Sequence, residues 1–363
     1  MTLGAPVGVL AQSAGAYDGA AATGLALRRL GTTARVLHIG AHPDDENTAL
    51  FAPLALGRGV DAAYLSLTRG EGGQNGIGPE LGVALGLIRS EELLAARRLD
   101  GGDQFFTRAI DYGYSKDAEE AFRHWPRDSL LADVVAVIRR YRPDVVASVW
   151  SGTPRDGHGQ HEASGIVARE AVLAAGDPAR FPDQIAAGLR PHRPALYYRS
   201  AWFAEDPPDV ELNTGQLDPL LGASYHQIAM ASRSRHRSQD QGRPLEPGPR
   251  RTAFDRVDPE APVEVGAARR FSRYGEGAAT GTPSLFEGVD TLLSQRAARA
   301  AARDGAELGE AVALLREYEA LVQAARDSLD ALAPWKQVPT LARARDRLTA
   351  AADLIGPAVR TGA

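Results

Sequence analysis

The stretch Gly40-Ala41-His42-Pro43-Asp44-Asp45-Glu46 decides how this chain is read. Before it lies Arg35-Val36-Leu37-His38-Ile39, a short β-rich apolar run with the pattern of a buried strand. After it, Asn47 to Leu56 is apolar at helical spacing and broken only by Pro53. The strand therefore turns into a helix here. In α/β proteins, ligands gather at the carboxyl ends of parallel strands. His42 and Asp45 are three residues apart and share one face of a first helical turn. An imidazole and a carboxylate that converge in this way suit a zinc-sized ion. Asp44 points off that face, which leaves its carboxylate free to act on a metal-bound water. Pro43 presets φ for the turn and needs no N–H partner there. The competing reading is that Asp44, Asp45 and Glu46 only complement a helix N-terminus.

A second stretch repeats the design. Asp144-Val145-Val146-Ala147-Ser148-Val149-Trp150 is another buried-strand pattern, introduced by Arg142-Pro143. It runs into a glycine-rich loop ending in His158-Gly159-Gln160-His161, and a helical pattern follows from Glu162 to Ala175. Again a strand end carries two titratable side chains spaced by three. Of the 8 histidines in the chain, three sit at the ends of these two strands.

These residues resemble the LmbE-like (PIG-L) family of zinc-dependent de-N-acetylases. The likeness is carried by Ala41-His42-Pro43-Asp44-Asp45-Glu46, by His158-x-x-His161, by Arg89-Ser90-Glu91-Glu92-Leu93 and by a late His236-Arg237-Ser238-Gln239. Together these pieces span roughly residues 33 to 240. The resemblance implies that His42, Asp45 and His161 bind one Zn2+ per chain, that Asp44 is the general base and that His158 helps to stabilise the transition state. Other divalent metals fit the same donors. The implied reaction is removal of an N-acetyl group from an amino sugar or glycoconjugate, with zinc-bound water attacking the amide carbonyl. One position departs from the pattern. Many members carry an acidic residue before the second metal histidine, where it orients the other histidine; here Gln160 stands there. Asp156 and Glu162 are the nearby carboxylates that could substitute.

Around these motifs the chain alternates strand and helix, which points to a Rossmann-like, doubly wound parallel sheet with helices on both faces. Both metal loops are expected at one edge of that sheet, where crossovers leave a crevice. Asp61 to Thr68 reads as the second strand and runs into Arg69-Gly70-Glu71-Gly72-Gly73-Gln74-Asn75-Gly76. That loop lacks the Lys-Ser/Thr ending of a phosphate-binding loop and reads as a rim over a substrate pocket, with Glu71 and Asn75 as sugar-binding candidates. Leu85 to Leu99 is a helix carrying Arg89 and Glu92 three residues apart; the resemblance implies that this pair lies near the active site and makes Arg89 the first substrate-binding candidate, with a surface ion pair as the alternative. Asp111 to Pro126 reads as an irregular aromatic insertion, and His38, His124 and His192 as structural. Gly222 to Arg237 reads as a basic amphipathic helix whose Arg233, Arg235 and Arg237 form a solvated face. The expected organisation is a leader and N-terminal helix over 1–32, a catalytic domain over 33–240, and a linker, small β piece and mainly helical extension over 241–363.

Composition bounds the partners. At 363 residues, 44% hydrophobic and 24% charged, the chain is an ordinary globular sequence. A net charge of −5 gives no electrostatic footprint for nucleic acid, and no apolar run reaches transmembrane length. The expected partner is a small N-acetylated sugar or glycoconjugate. With no cysteine, any metal site must use histidines and carboxylates. Leu3 to Leu10 followed by Ala11-Gln12-Ser13-Ala14 resembles the end of a signal peptide, which leans the expectation towards export. Two other chemistries compete. Two histidines and a carboxylate also make the facial triad of non-haem iron enzymes, and a Rossmann-like sheet can serve as a non-catalytic sugar- or nucleotide-binding module. The α/β alternation argues against the first, and a free Asp44 beside the metal argues against the second.

Overall fold

The computed structural model describes residues 17–201, 203–204, 207–262, 269–270, 275–276, 284–304 and 307–361. The leader segment lies outside them. Five strands, β1 (Arg35–Gly40), β2 (Asp61–Ser66), β3 (Asp103–Phe106), β4 (Val145–Ser148) and β5 (Leu196–Ser200), run parallel in the spatial order β5-β4-β1-β2-β3. Their side chains alternate between two apolar layers, as the pleat requires. Val36, Ala62, Tyr64, Val145 and Ala147 face one core with Leu50, Phe51 and Leu54. Leu37, Ile39, Ala63, Leu65 and Val146 face the other with Leu131, Val134, Ile138, Val167 and Ala171. Burial on both faces explains why these strands read as continuous apolar runs.

One helix precedes β1 and the others fill the crossovers. These are α1 (Gly19–Leu30), α2 (Thr48–Phe51), α3 (Val83–Asp100), α4 (Ala118–His124), α5 (Arg127–Tyr141), α6 (Gly159–Ala174) and α7 (Pro182–Ala186). Asn47 caps α2 by accepting from the Ala49 N–H, and the helix widens into a π-type turn over Ala52–Gly57. Pro53 lies in that turn and has no N–H to continue the regular ladder. The stretch expected to be an irregular insertion contains α4, started by the Asp117 side chain accepting from the Glu120 N–H.

The two loops expected to hold the metal do not sit at an edge. The chain leaves β1 towards β2 and β3 but returns on the other side to make β4 and β5. β1 and β4 are therefore neighbours in the middle of the sheet, at the point where the winding direction reverses, and their carboxyl ends open one crevice.

After β5 the order becomes irregular. The ribbons β6 (Phe203–Ala204) with β11 (Arg269–Arg270), and β8 (Leu217–Asp218) with β9 (Ala223–Ser224), are separate from the main sheet. β7 (Val210–Asn213) and β12 (Gly275–Glu276) both pair with β10 (Arg250–Arg256), which adds antiparallel to β5. The boundary expected at 240/241 thus runs through one sheet. α8 (Tyr225–Arg233) is shorter than the expected basic helix, and Arg235 and Arg237, which lie beyond its end, are the exposed members of the three arginines. Arg233 is buried.

The C-terminal α9 (Leu293–Asp304), α10 (Gly309–Asp327) and α11 (Val338–Thr361) form the helical extension. It is tied to the start of β1. Arg296 donates to the Thr33 carbonyl at 3.1 Å and to the Asp144 carboxylate at 2.7 Å, and the Tyr318 hydroxyl donates to the Leu30 carbonyl at 3.0 Å.

Candidate active site

Two turns at the carboxyl ends of β1 and β4 bring His42, His158 and His161 together, with one ring nitrogen from each within 4.8 Å of the others. His161 lies in the first turn of α6, which begins at Gly159, earlier than its sequence pattern indicates. Its Nδ1–H donates to the Asp156 carbonyl at 3.0 Å, which leaves Nε2 as the ring nitrogen turned into the site. That nitrogen stands 3.2 Å from Asp45 Oδ1. Donor atoms around a tetrahedral ion with bonds of about 2.0–2.1 Å are about 3.3 Å apart, so this pair is spaced as two ligands of one ion would be.

Asp45 is divided between two tasks. Its Oδ2 accepts from the Ala41 and His42 backbone N–H groups, each at 2.8 Å, and from Trp150 Nε1 at 3.0 Å. Three donors on one oxygen fix the carboxylate and leave Oδ1 facing His161. Trp150 also stacks on the His161 ring, with centroids 3.6 Å apart. Burial opposes charge on Asp45, but His161 and His42 outweigh it and hold its carboxyl well below the usual carboxylate range. Burial likewise works against a charged His42; Asp45 and Asp111 overcome this and raise its pKa. The donor set of imidazoles and one carboxylate, with no thiolate, suits zinc or a similar divalent ion.

Asp44 occupies the left-handed region at φ +87°, unusual for a residue with a side chain. Its carboxylate pairs with Arg89 at 2.8 Å. Arg89 is buried, and its guanidinium also donates to the Pro43 carbonyl at 2.6 Å and the Gly70 carbonyl at 3.1 Å. The residue expected to bind substrate is thus turned onto the backbone of the His42–Glu46 turn and onto Asp44. Glu71 accepts from the Asp111 N–H at 3.0 Å and braces the facing loop. Asn75 is spent within its own loop, donating to Glu80 and accepting from the Ile77 and Gly78 N–H groups.

His158 is oriented by Gln160. Gln160 Oε1 accepts from the Ser115 N–H at 3.1 Å and the Ser115 hydroxyl at 2.7 Å, which identifies it as the carbonyl oxygen of the amide. His158 Nδ1 lies 3.0 Å from the same oxygen and must carry the proton. The two carboxylates considered as substitutes are used elsewhere. Asp156 binds the Ser151, Gly152 and Thr153 backbone, and Glu162 accepts from the Ala118 N–H. Burial and the neighbouring His161 and His42 push His158 down to about 4. At neutral pH its Nε2 is therefore an acceptor.

Three contributors were not singled out from the sequence. Asp111, buried, reaches within 3.8 Å of His42 Nε2. Trp150 was assigned only to a strand. Tyr64 donates its hydroxyl to the His42 carbonyl at 2.7 Å. None lies at motif spacing from the histidines, so no periodic signal marks them. Of the three histidines read as structural, His38 and His192 bond to backbone groups, and His124 stacks on Tyr112 at 4.0 Å.

Residues 37–172 match the family PIG-L: GlcNAc-PI de-N-acetylase. Diacetylchitobiose deacetylase of Thermococcus kodakarensis is 33% identical over 160 residues, covering 44% of this chain and 56% of that protein. A 1D-myo-inositol 2-acetamido-2-deoxy-alpha-D-glucopyranoside deacetylase of Rhodococcus jostii is 36% identical over 167 residues, 41% of this chain and 56% of that protein. The chain thus spans little more than half the length of these curated relatives. Among solved structures, N,N'-diacetylchitobiose deacetylase from Pyrococcus horikoshii aligns with a TM-score of 0.44 at 22% identity, over 56% of this chain and 70% of that one.

Proposed function

We propose, from the PIG-L domain that residues 37–172 carry, that this chain is a metal-dependent hydrolase releasing acetate from an N-acetylated amino sugar. The observation that carries the reading is the divided Asp45 carboxylate. One oxygen is saturated by three donors, and the other faces His161 Nε2 at 3.2 Å beside His42 and Asp44. A sugar-binding module has no use for that arrangement. The relatives act on N-acetylglucosaminyl compounds by name, and this group is the substrate class proposed here.

His42, Asp45 and His161 would hold the ion, with zinc the proposed metal. Bound there, zinc would polarise the acetamide carbonyl and lower the pKa of a water towards about 7. Asp44 takes a proton from the attacking water as its oxygen bonds to the carbonyl carbon. The carbon–nitrogen bond then breaks as Asp44 returns that proton to the nitrogen, giving acetate and a free amine. Arg89 keeps the Asp44 carboxylate in place through both transfers. His158, neutral and fixed by Gln160, borders the reacting carbonyl and presents Nε2 as an acceptor that orients substrate or water. Delivery of the proton to the leaving amine falls to Asp44.

The test is release of acetate and amine from N-acetylglucosamine, N,N'-diacetylchitobiose and an N-acetylglucosaminyl inositol, with zinc and iron content measured on protein purified without added metal. Release by the wild type and loss in Asp44→Asn supports the proposal. Equal release by both removes Asp44 as base, and no release from any of them overturns the assignment.

A further inference from the structure

Asp44 is held at its N–H, at its carbonyl and at one carboxylate oxygen. Its N–H donates to Glu46 Oε2 at 2.9 Å, and its carboxylate accepts from Arg89 at 2.8 Å. Its carbonyl accepts from Arg233 Nη1, which also donates to the Glu46 carbonyl at 3.2 Å. Arg233 belongs to the last turn of α8, far outside the segment that matches the family. A left-handed backbone at a non-glycine residue persists only where its surroundings over-determine it. Here a buried guanidinium bridging the carbonyls on either side of Asp45 supplies that constraint.

The support behind Arg233 is rigid. The apolar face of α8, with Tyr225, Ile228, Ala229 and Met230, packs on Ala49, Ala52 and Leu56 of the segment following the catalytic turn. Ser232 donates to Asp100 at 2.6 Å and to the Ala96 carbonyl at 3.2 Å, anchoring the helix to α3. Beyond the helix, His236 Nε2 lies 2.7 Å from Glu46 Oε1, and Ser238 bonds Glu92 through both its N–H and its hydroxyl. The late segment thus braces the catalytic turn from behind.

We infer that Arg233 is a positioning residue which holds the Asp44 backbone in its left-handed conformation and thereby aims the base. The inference rests on the proposed hydrolase for its kinetic consequence but not for its structural one. Arg233→Ala frees the Asp44 carbonyl. Residue 44 relaxes out of the left-handed region and its carboxylate shifts, and a misplacement near 1 Å costs about 100-fold in rate.

The experiment pairs a crystal structure of Arg233→Ala with its kinetics and metal content. The expected result is φ at residue 44 outside the left-handed region, metal content as in the wild type, and kcat lowered about 10- to 100-fold with KM within about twofold. Arg233→Lys keeps a cation at the same carbonyl; its kcat should lie between the other two, and it serves where the alanine variant does not fold. Residue 44 unmoved in Arg233→Ala, or kcat within about twofold of wild type, overturns the inference. If no N-acetylated sugar is turned over by the wild type, the hydrolase reading fails, and the conformation of residue 44 still decides this one.

Discussion

Gln160→Glu tests the electrostatics of the site most directly. The substitution preserves shape and replaces an amide oxygen by a carboxylate oxygen at the position His158 Nδ1 already contacts at 3.0 Å. Ser115 donates twice to that oxygen, and the Tyr112 hydroxyl lies against Ser115 and Gln160, so donors are at hand for the new charge. A hydrogen bond between neutral groups contributes about 0.5–1.5 kcal/mol, and one to a charged group about 1.5–3 kcal/mol. The difference, about 1–1.5 kcal/mol, corresponds to about one pKa unit in favour of the imidazolium. His158, now pushed down to about 4, should rise by about that amount. The assay is an NMR titration of the histidine rings in metal-free protein, where no ion competes for Nε2. A His158 titration that stays in place or moves down would refute the reasoning, because Gln160 would then not set the state of that ring.

Three further outcomes are expected. Asp44→Asn should keep its metal and lose at least about 100-fold in turnover, whereas His161→Ala should lose both; elemental analysis beside the acetate assay separates them. Trp150→Phe keeps the ring stack on His161 but removes the donor to Asp45 Oδ2. Loss of such a supporting bond typically weakens metal affinity about 10- to 100-fold, measurable by competition with a chelator. Glu46 governs acid stability: burial opposes its charge, but His236, Arg97 and Arg233 outweigh this and hold the carboxyl well below its ordinary 4.5. A depressed folded pKa confers stability that is complete above about 4.5 and is lost as the pH falls through the folded value. Glu46→Gln should therefore be about 1–3 kcal/mol less stable than wild type at pH 7, because His236 loses its carboxylate partner and Arg97 keeps only Asp100. It should also lose less on acidification below 4.5, as read from urea unfolding at several pH values.

The strand–turn–helix units around His42 and His158 were legible in the sequence because each is local. An apolar β run, a turn residue and a helical period lie within about twenty consecutive residues, and spacing by three sets two side chains on one helical face. The same reasoning failed wherever a residue's partner is distant in sequence. Arg89 read as a substrate-binding candidate, with a surface ion pair to Glu92 as the alternative because the two share a helix. In the folded chain Arg89 turns to Asp44 and Glu92 to Ser238, from opposite ends of the domain. Arg233 read as part of a solvated face because its neighbours Arg235 and Arg237 are charged, yet it lies buried under the catalytic turn.

The sequence by itself determined that His42, Asp44, Asp45, His158 and His161 stand just past strand ends, since residue type and periodicity are properties of the local chain. Tertiary structure alone decided that β1 and β4 are neighbours at the centre of the sheet, that Trp150 and Asp111 complete the surroundings of Asp45 and His42, and that Gln160, not Asp156 or Glu162, accepts the hydrogen bond from His158 Nδ1–H. Such choices depend on the direction of each crossover and on which buried donors are left over once the backbone ladders are satisfied. Neither is written in any short window of sequence.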